Sequence, residues 1–326
     1  VAVASAYLDR ARAALWARAG FSFIPDRDLP PPDSTTGPGS GPAVGFAGFP
    51  SDYSLGFLLA LLELDVRLAG IVTSPGAHPS LLGENALSRI AEHLRVPLVR
   101  AWRINDEHAL MQLTELGADA FVMASFDQIV GRRALQLPAQ GWLNVHPSLI
   151  PLYRGPEPVY WAIADGAAET GITLHRAVPK FDAGPILAQR AVPIDERDTA
   201  GTLTRKLVAA GVELLPGAVR ALLDGDPGVA PDMSLATYRP AVGHRRLEAA
   251  GSAKEALRLV RAGVPNMPAW AGDGDDAVYV FAARIATGDP PGIRHLHFPD
   301  GVLELVDTSR TCHCHHDLAD CPHREG

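Results

Sequence analysis

From Ala43 to His146 the chain repeats one pattern, a short apolar run followed by a segment with helical spacing. "AVGFAGFP" precedes "SLGFLLALLEL", "VRLAGIVTS" precedes "GENALSRIAEHLR", "VPLVRA" precedes "DEHALMQLTELG", and "ADAFVMAS" leads to "GWLNVHPS". Strands joined through helices pair in parallel, and a parallel sheet needs helices over both faces. Ligands of such sheets gather beyond the carboxyl ends of the strands. The first turn, "GFAGFP", lacks the G-x-G-x-x-G spacing of a dinucleotide site and runs directly into proline.

The flanks read differently. Residues 1–22 carry a helix-like pattern, and "PDRDLPPPDSTTGPGSGP" reads as a linker that closes an N-terminal segment over 1–42. The α/β domain is expected over 43–232. Within it, "GITLHRAVPKFDAGPILAQRAVPI" predicts two strands around a turn at Phe181–Gly184. A long helix follows, capped by Asp198 or Thr199. Ser252 opens a shorter helix. "AVYVFAARI", "GIRHLHF" and "GVLELVD" then predict strands of a small second domain over 233–308, and a Cys/His-rich tail fills 309–326. Hydrophobic residues at 47% against 20% charged describe an ordinary soluble protein. No run is long enough to span a bilayer and no basic-then-apolar leader opens the chain, so no membrane partner and a cytoplasmic location are expected.

The strand "GWLNVH" ends on Asn144 and His146, and prolines follow at 147 and 151. Residues two apart on a strand point to the same side. Both side chains therefore converge on one region above the sheet, and the prolines turn the chain away and leave it open. An amide donor beside an imidazole suits a tetrahedral intermediate of acyl transfer. A carboxylate usually orients such a histidine, and Asp182 in "FDAGP" is the leading candidate. Gly184 allows a tight backbone there. Taken alone, N-x-H usually marks a histidine that merely packs, and D-A-G a plain turn. Ser148 has no evident base of its own, so it reads as shaping the backbone. Thr170 and Thr173 read as strand ends, and Trp161 as packing.

The order of the segments decides between these readings. "LNVHPSLIPLYRGPEPVYWAI", "ETGITLH", "FDAGPIL" and "DTAGTL" together resemble the formyltransferases that use 10-formyltetrahydrofolate, over roughly residues 43–308. The pattern N-x-H-P-S-L-L-P, R-G, E-T-G, D-x-G is that of methionyl-tRNA formyltransferases and their small-molecule relatives. The resemblance implies a Rossmann-like parallel-sheet domain followed by a small β-barrel-like, OB-type domain. It implies an enzyme of one-carbon metabolism in which Asn144, His146 and Asp182 are catalytic. It places the folate cosubstrate against "SFDQIV", with Phe126, Asp127, Gln128 and Ile129 offering backbone groups and Gly184 in the loop that closes the other side. Tyr153 and Arg154 are expected near the acceptor, although Arg154 equally fits a solvated structural role.

Departures from that pattern bear on the acceptor. The segment after the second strand, "TSPGAHPSLLGEN", is short and has no lysine or arginine. A net charge of −8 gives a weak footprint for RNA. The expected partner is therefore a small-molecule amine or hydroxylamine, with methionyl-tRNA as the alternative and a homodimer as a possible assembly. A non-catalytic folate- or metal-binding scaffold is a further alternative, which the intact Asn144, His146, Asp182 set argues against. In the tail, Cys312, Cys314, Cys321 and His323, with His315 or His316 nearby, could supply ligands for a structural zinc, although their spacing matches no strong finger.

Overall fold

The computed structural model describes residues 41–75, 86–287 and 294–311. The helix expected over 1–22, nearly all of the linker, and the tail residues Cys312, Cys314, Cys321 and His323 lie outside the described residues. Two compact units divide the chain. Of the described residues, one takes those up to 155 with 171–192 and 205–238, and the other takes 156–170, 193–204 and those from 239 onward.

In chain order the first elements are β1 (Ala43–Ala47), α1 (Asp52–Leu62), β2 (Arg67–Thr73), α2 (Ala86–Leu94), β3 (Leu98–Arg100), α3 (Glu107–Glu115), β4 (Ala120–Ala124), α4 (Arg132–Leu135) and β5 (Trp142–His146). There follow α5 (Pro158–Ala164), β6 (Glu169–Arg176), β7 (Ile186–Pro193), α6 (Ala200–Leu223), α7 (Ala253–Gly263), β8 (Ala269–Ala271), β9 (Val278–Ile285), β10 (Arg294–Phe298) and β11 (Gly301–Ser309).

The first unit is Rossmann-like. Its seven-stranded sheet runs β3-β2-β1-β4-β5-β6-β7. β1 pairs in parallel with β2 and β4, β4 pairs in parallel with β5, and β5 pairs antiparallel with β6. β1 is buried at every position, as a central strand with helices on both faces must be. α1 is buried on nearly its whole circumference, which explains its unbroken apolar run. It starts where the Ser51 side chain accepts the Ser54 amide at 3.1 Å. On one face of the sheet the Phe121 ring stacks on Trp142 at 4.2 Å within a core that includes Val72, Leu110 and Leu113. Gly45 makes room for that ring: a Cβ there would sit 2.2 Å from Phe121.

The long helix begins as its sequence predicts. Thr199 accepts the Thr202 amide at 3.2 Å and Thr202 returns a side-chain bond to Asp198 at 2.9 Å, so Thr199 is the cap and Asp198 braces it. In the second unit Ser252 caps α7 by accepting the Glu255 amide at 3.1 Å. α7 lies against an antiparallel sheet ordered β10-β11-β9-β8, and Val260, Val280, Leu303 and Leu305 form its core. Register shifts in β11 near Asp307 add the twist that curls this sheet into a half-barrel. His295 lies on β10 opposite Glu304, its Nε2 4.0 Å from the carboxylate. No helix among the described residues is long and apolar enough to cross a membrane.

Candidate active site

β5 ends the parallel run beside β4, and its carboxyl end carries Asn144 and His146. The antiparallel neighbour β6 sets His175 opposite Asn144 and Thr173 opposite His146. The Tyr53 hydroxyl of α1 donates to the Val145 carbonyl at 3.2 Å, anchoring the strand between the two polar side chains.

Asp182 arrives from the turn between β6 and β7. Its φ of 41° is left-handed, a conformation that aspartate tolerates better than most residues. Gly184 permits the tight backbone expected there, and it does so by lacking a Cβ. A Cβ at 184 would lie 1.7 Å from the Arg176 carbonyl oxygen, so only a bare α-carbon lets the turn fold back on the end of β6.

These segments converge. The Asn144 amide nitrogen donates to Asp182 Oδ1 at 3.1 Å and lies 3.1 Å from His175 Nε2. His146 Nδ1 is 3.6 Å and His175 Nε2 is 3.8 Å from the same carboxylate oxygen. Asp182 Oδ2 accepts the Gly155 amide at 3.0 Å. All three ionisable side chains are almost wholly buried. A carbonyl can only accept, which fixes two protons. His146 Nε2–H donates to the Tyr153 carbonyl at 3.1 Å, and His175 Nδ1–H donates to the Arg176 carbonyl at 3.0 Å. Burial lowers the His175 pKa to about 4, against the raising effect of Asp182. His175 is therefore neutral at neutral pH, and its Nε2 accepts from Asn144. This polar cluster thus has an amide whose two hydrogens are held, and an imidazole whose Nδ1 faces a carboxylate.

The remaining predicted residues fall around this cluster. Tyr153, with a left-handed φ of 52°, contributes its carbonyl to His146 and its amide to Thr237 Oγ1 at 2.8 Å. Arg154 donates from Nε and from a terminal nitrogen to the Phe181 carbonyl, at 2.9 and 2.6 Å, and so grips the residue before Asp182. Ser148 donates to the Leu152 carbonyl at 2.7 Å, in keeping with a backbone-shaping role. Thr173 is mid-strand and fully buried, correcting its expected place at a strand end. Its hydroxyl donates to the Ser148 carbonyl at 2.6 Å and receives the Ile150 amide, so it shapes the loop that leaves β5. Phe126 to Ile129 form the loop after β4, with Phe126 half-buried and Ile129 exposed. Ile129 offers its carbonyl to Asn105 at 2.8 Å. Among the described residues no group of three or more His, Cys, Asp or Glu side chains is placed to hold a metal ion.

His175 is the member that reading the sequence missed. The alternation that paired Asn144 with His146 also pairs Thr173 with His175 in "GITLH", so the signal was present. Only the antiparallel register with β5 brings it to the site.

Residues 65–219 match the family model described as formyl transferase. A methionyl-tRNA formyltransferase of Thermotoga sp. (strain RQ2) is 32% identical over 260 residues, 77% of this chain and 82% of its own. The chain belongs to the formyltransferase family. Among solved structures, HypX from Aquifex aeolicus superposes on the formyltransferase with a TM-score of 0.61 at 18% identity, covering 82% of this chain and 44% of HypX. The sugar 3N-formyltransferase WlaRD does so with a TM-score of 0.60 at 17% identity, covering 82% and 98%. At such identities these two establish the shared fold.

Proposed function

We propose that this formyltransferase moves the formyl group of 10-formyltetrahydrofolate to the amine of a small molecule, with Asn144, His146 and Asp182 as its catalytic residues. The observation that carries the reading is the meeting of those three side chains, from two separate segments, within hydrogen-bonding or ion-pairing reach. A donor set of one amide and one imidazole fits a one-carbon carbonyl, and the WlaRD structure was solved in the presence of 5-N-formyl-THF.

The folate derivative supplies a formyl carbon already bonded to a nitrogen that can leave. The residues then have the following work. The two Asn144 amide hydrogens rest on Asp182 and His175, so the formyl oxygen must take over one of them. Charge grows on that oxygen as the acceptor nitrogen bonds to the carbon, and the amide then donates to an anion rather than to a neutral ring nitrogen. His146 Nε2 is occupied by the Tyr153 carbonyl, so Nδ1 is the atom that exchanges a proton with the reacting groups. Asp182 Oδ1 lies 3.6 Å from that atom, placed to receive the N–H that Nδ1 gains when it takes the proton. The proton leaving the acceptor nitrogen passes by this route to the folate nitrogen, and the tetrahedral intermediate then collapses, the oxygen re-forming its carbonyl as the C–N bond to folate breaks.

A second reading, methionyl-tRNA as acceptor, is favoured by the name of the 32% identical relative. The short stretch after β2, which has no lysine or arginine, and the net charge of −8 favour the small amine. Incubation with 10-formyltetrahydrofolate and a panel of acceptors separates them. Nucleotide-linked amino sugars, amino acids and their hydroxylamines, and methionyl-tRNA are each offered, and tetrahydrofolate release is followed. Turnover with a small amine is expected. Turnover with methionyl-tRNA alone overturns the acceptor assignment, and no turnover with any member overturns the folate reading.

A further inference from the structure

Gln128 was expected among the residues that offer backbone groups to the cosubstrate, but its side chain is engaged elsewhere. Its Oε1 accepts the Ile104 amide at 2.7 Å. Its Nε2 donates to the Ala101 carbonyl at 2.7 Å and to Ser74 Oγ at 2.8 Å. Ser74 in turn donates to the carboxylate of Asp127. Ser74 follows the end of β2, Ala101 follows the end of β3, and Gln128 lies in the loop after β4. Three loops at the carboxyl edge of the sheet are thus tied by a single carboxamide.

The amide can sit in only one orientation. Oxygen must face the Ile104 N–H and nitrogen must face the Ala101 carbonyl, since reversing them sets like groups against each other. Ser74 is nearly buried and Ile104 wholly so, so these partners are poorly served by water if the carboxamide is lost. Asn105 reinforces the same connection. Its amide donates to the Ile129 carbonyl at 2.8 Å, and its side-chain oxygen accepts the Gly131 amide at 2.6 Å. The loop from Phe126 to Gly131 is therefore held from outside, at Gln128, Ile129 and Gly131, by the segment after β3.

We propose that the Gln128 side chain is a positioning group that presets the backbone of the Phe126–Ile129 loop for the folate cosubstrate, acting through Ser74, Ala101 and Ile104 and not by itself touching the ligand. This rests on the folate reading above and deepens it. Presetting a loop lowers the ordering cost of binding, and none of the Gln128 side-chain bonds runs to Asn144, His146 or Asp182. The signature is therefore a change in cosubstrate affinity with the chemical step preserved.

The test compares the wild-type full chain with Gln128→Met, which keeps the volume and removes all three bonds, and with Ser74→Ala, which removes one leg and keeps the two backbone legs. Tetrahydrofolate binding is measured by calorimetry, and steady-state kinetics use 10-formyltetrahydrofolate with an accepted amine. Gln128→Met is expected to raise both Kd and the cosubstrate KM at least tenfold with kcat within threefold of wild type, and Ser74→Ala to raise them about threefold. Wild-type affinity in a folded Gln128→Met overturns the positioning role, and so does a fall in kcat with KM unchanged. If Gln128→Met does not fold, Ser74→Ala decides: unchanged affinity there overturns the role. A wild-type chain that binds no tetrahydrofolate refutes the folate reading itself, an outcome distinct from failure of either variant.

Discussion

Burial takes the His175 imidazole down to about 4 while its Nδ1–H remains committed to the Arg176 carbonyl. The folded pKa lies below the ordinary 6.5, so between pH 6.5 and about 4 the unfolded chain binds a proton that the folded chain refuses. Stability from this residue is complete above 6.5 and is lost as pH falls through that window, by roughly 3 kcal/mol in total. Glu157 has the opposite sign. Burial raises its carboxyl to about 7, so its contribution is complete below the ordinary 4.5 and is lost as pH rises through 7. The two oppose each other across mildly acidic pH, and a single variant separates them. His175→Asn is expected to cost more stability at pH 7 than at pH 4.5, by roughly 2 kcal/mol, in urea titrations at both values. Equal cost at the two pH values would mean that the imidazole titrates normally in the fold.

Strands and turns carry the next layer. The repeat of apolar runs and helical segments was legible because burial on both faces leaves strands with almost no polar residues. Asn144 and His146 stood out against that background, ending an otherwise apolar strand. The pairing of β5 with β6 was not legible, because an antiparallel register joins segments about 30 residues apart through no local rule. His175 was hidden for that reason alone. The turn at Phe181–Gly184 was legible as a turn, and so was the tight backbone that the missing Cβ of Gly184 permits; that Asp182 takes the left-handed φ was not. Gly184→Ala should therefore cost roughly 2–4 kcal/mol, because a Cβ 1.7 Å from the Arg176 carbonyl oxygen must push β6 from the turn. It should also carry Asp182 away from Asn144 and lower turnover. A urea midpoint equal to wild type would show that the turn yields at no cost.

For the whole molecule, the sequence made the α/β domain and the small antiparallel domain visible, and the formyltransferase family followed from the order of motifs spread over most of the chain. The acceptor was less legible, since net charge and one short segment speak to it only indirectly. What unites the fold with the reaction is one claim, that β5, β6 and the turn before β7 exist in this arrangement to aim the Asn144 amide at a carbonyl oxygen gaining charge. The most direct test is single-turnover release of tetrahydrofolate by Asn144→Leu, which keeps the shape and removes both amide hydrogens. The account predicts a rate about 100- to 1000-fold below wild type with tetrahydrofolate affinity within about threefold. A folded variant that releases tetrahydrofolate at the wild-type rate would contradict it.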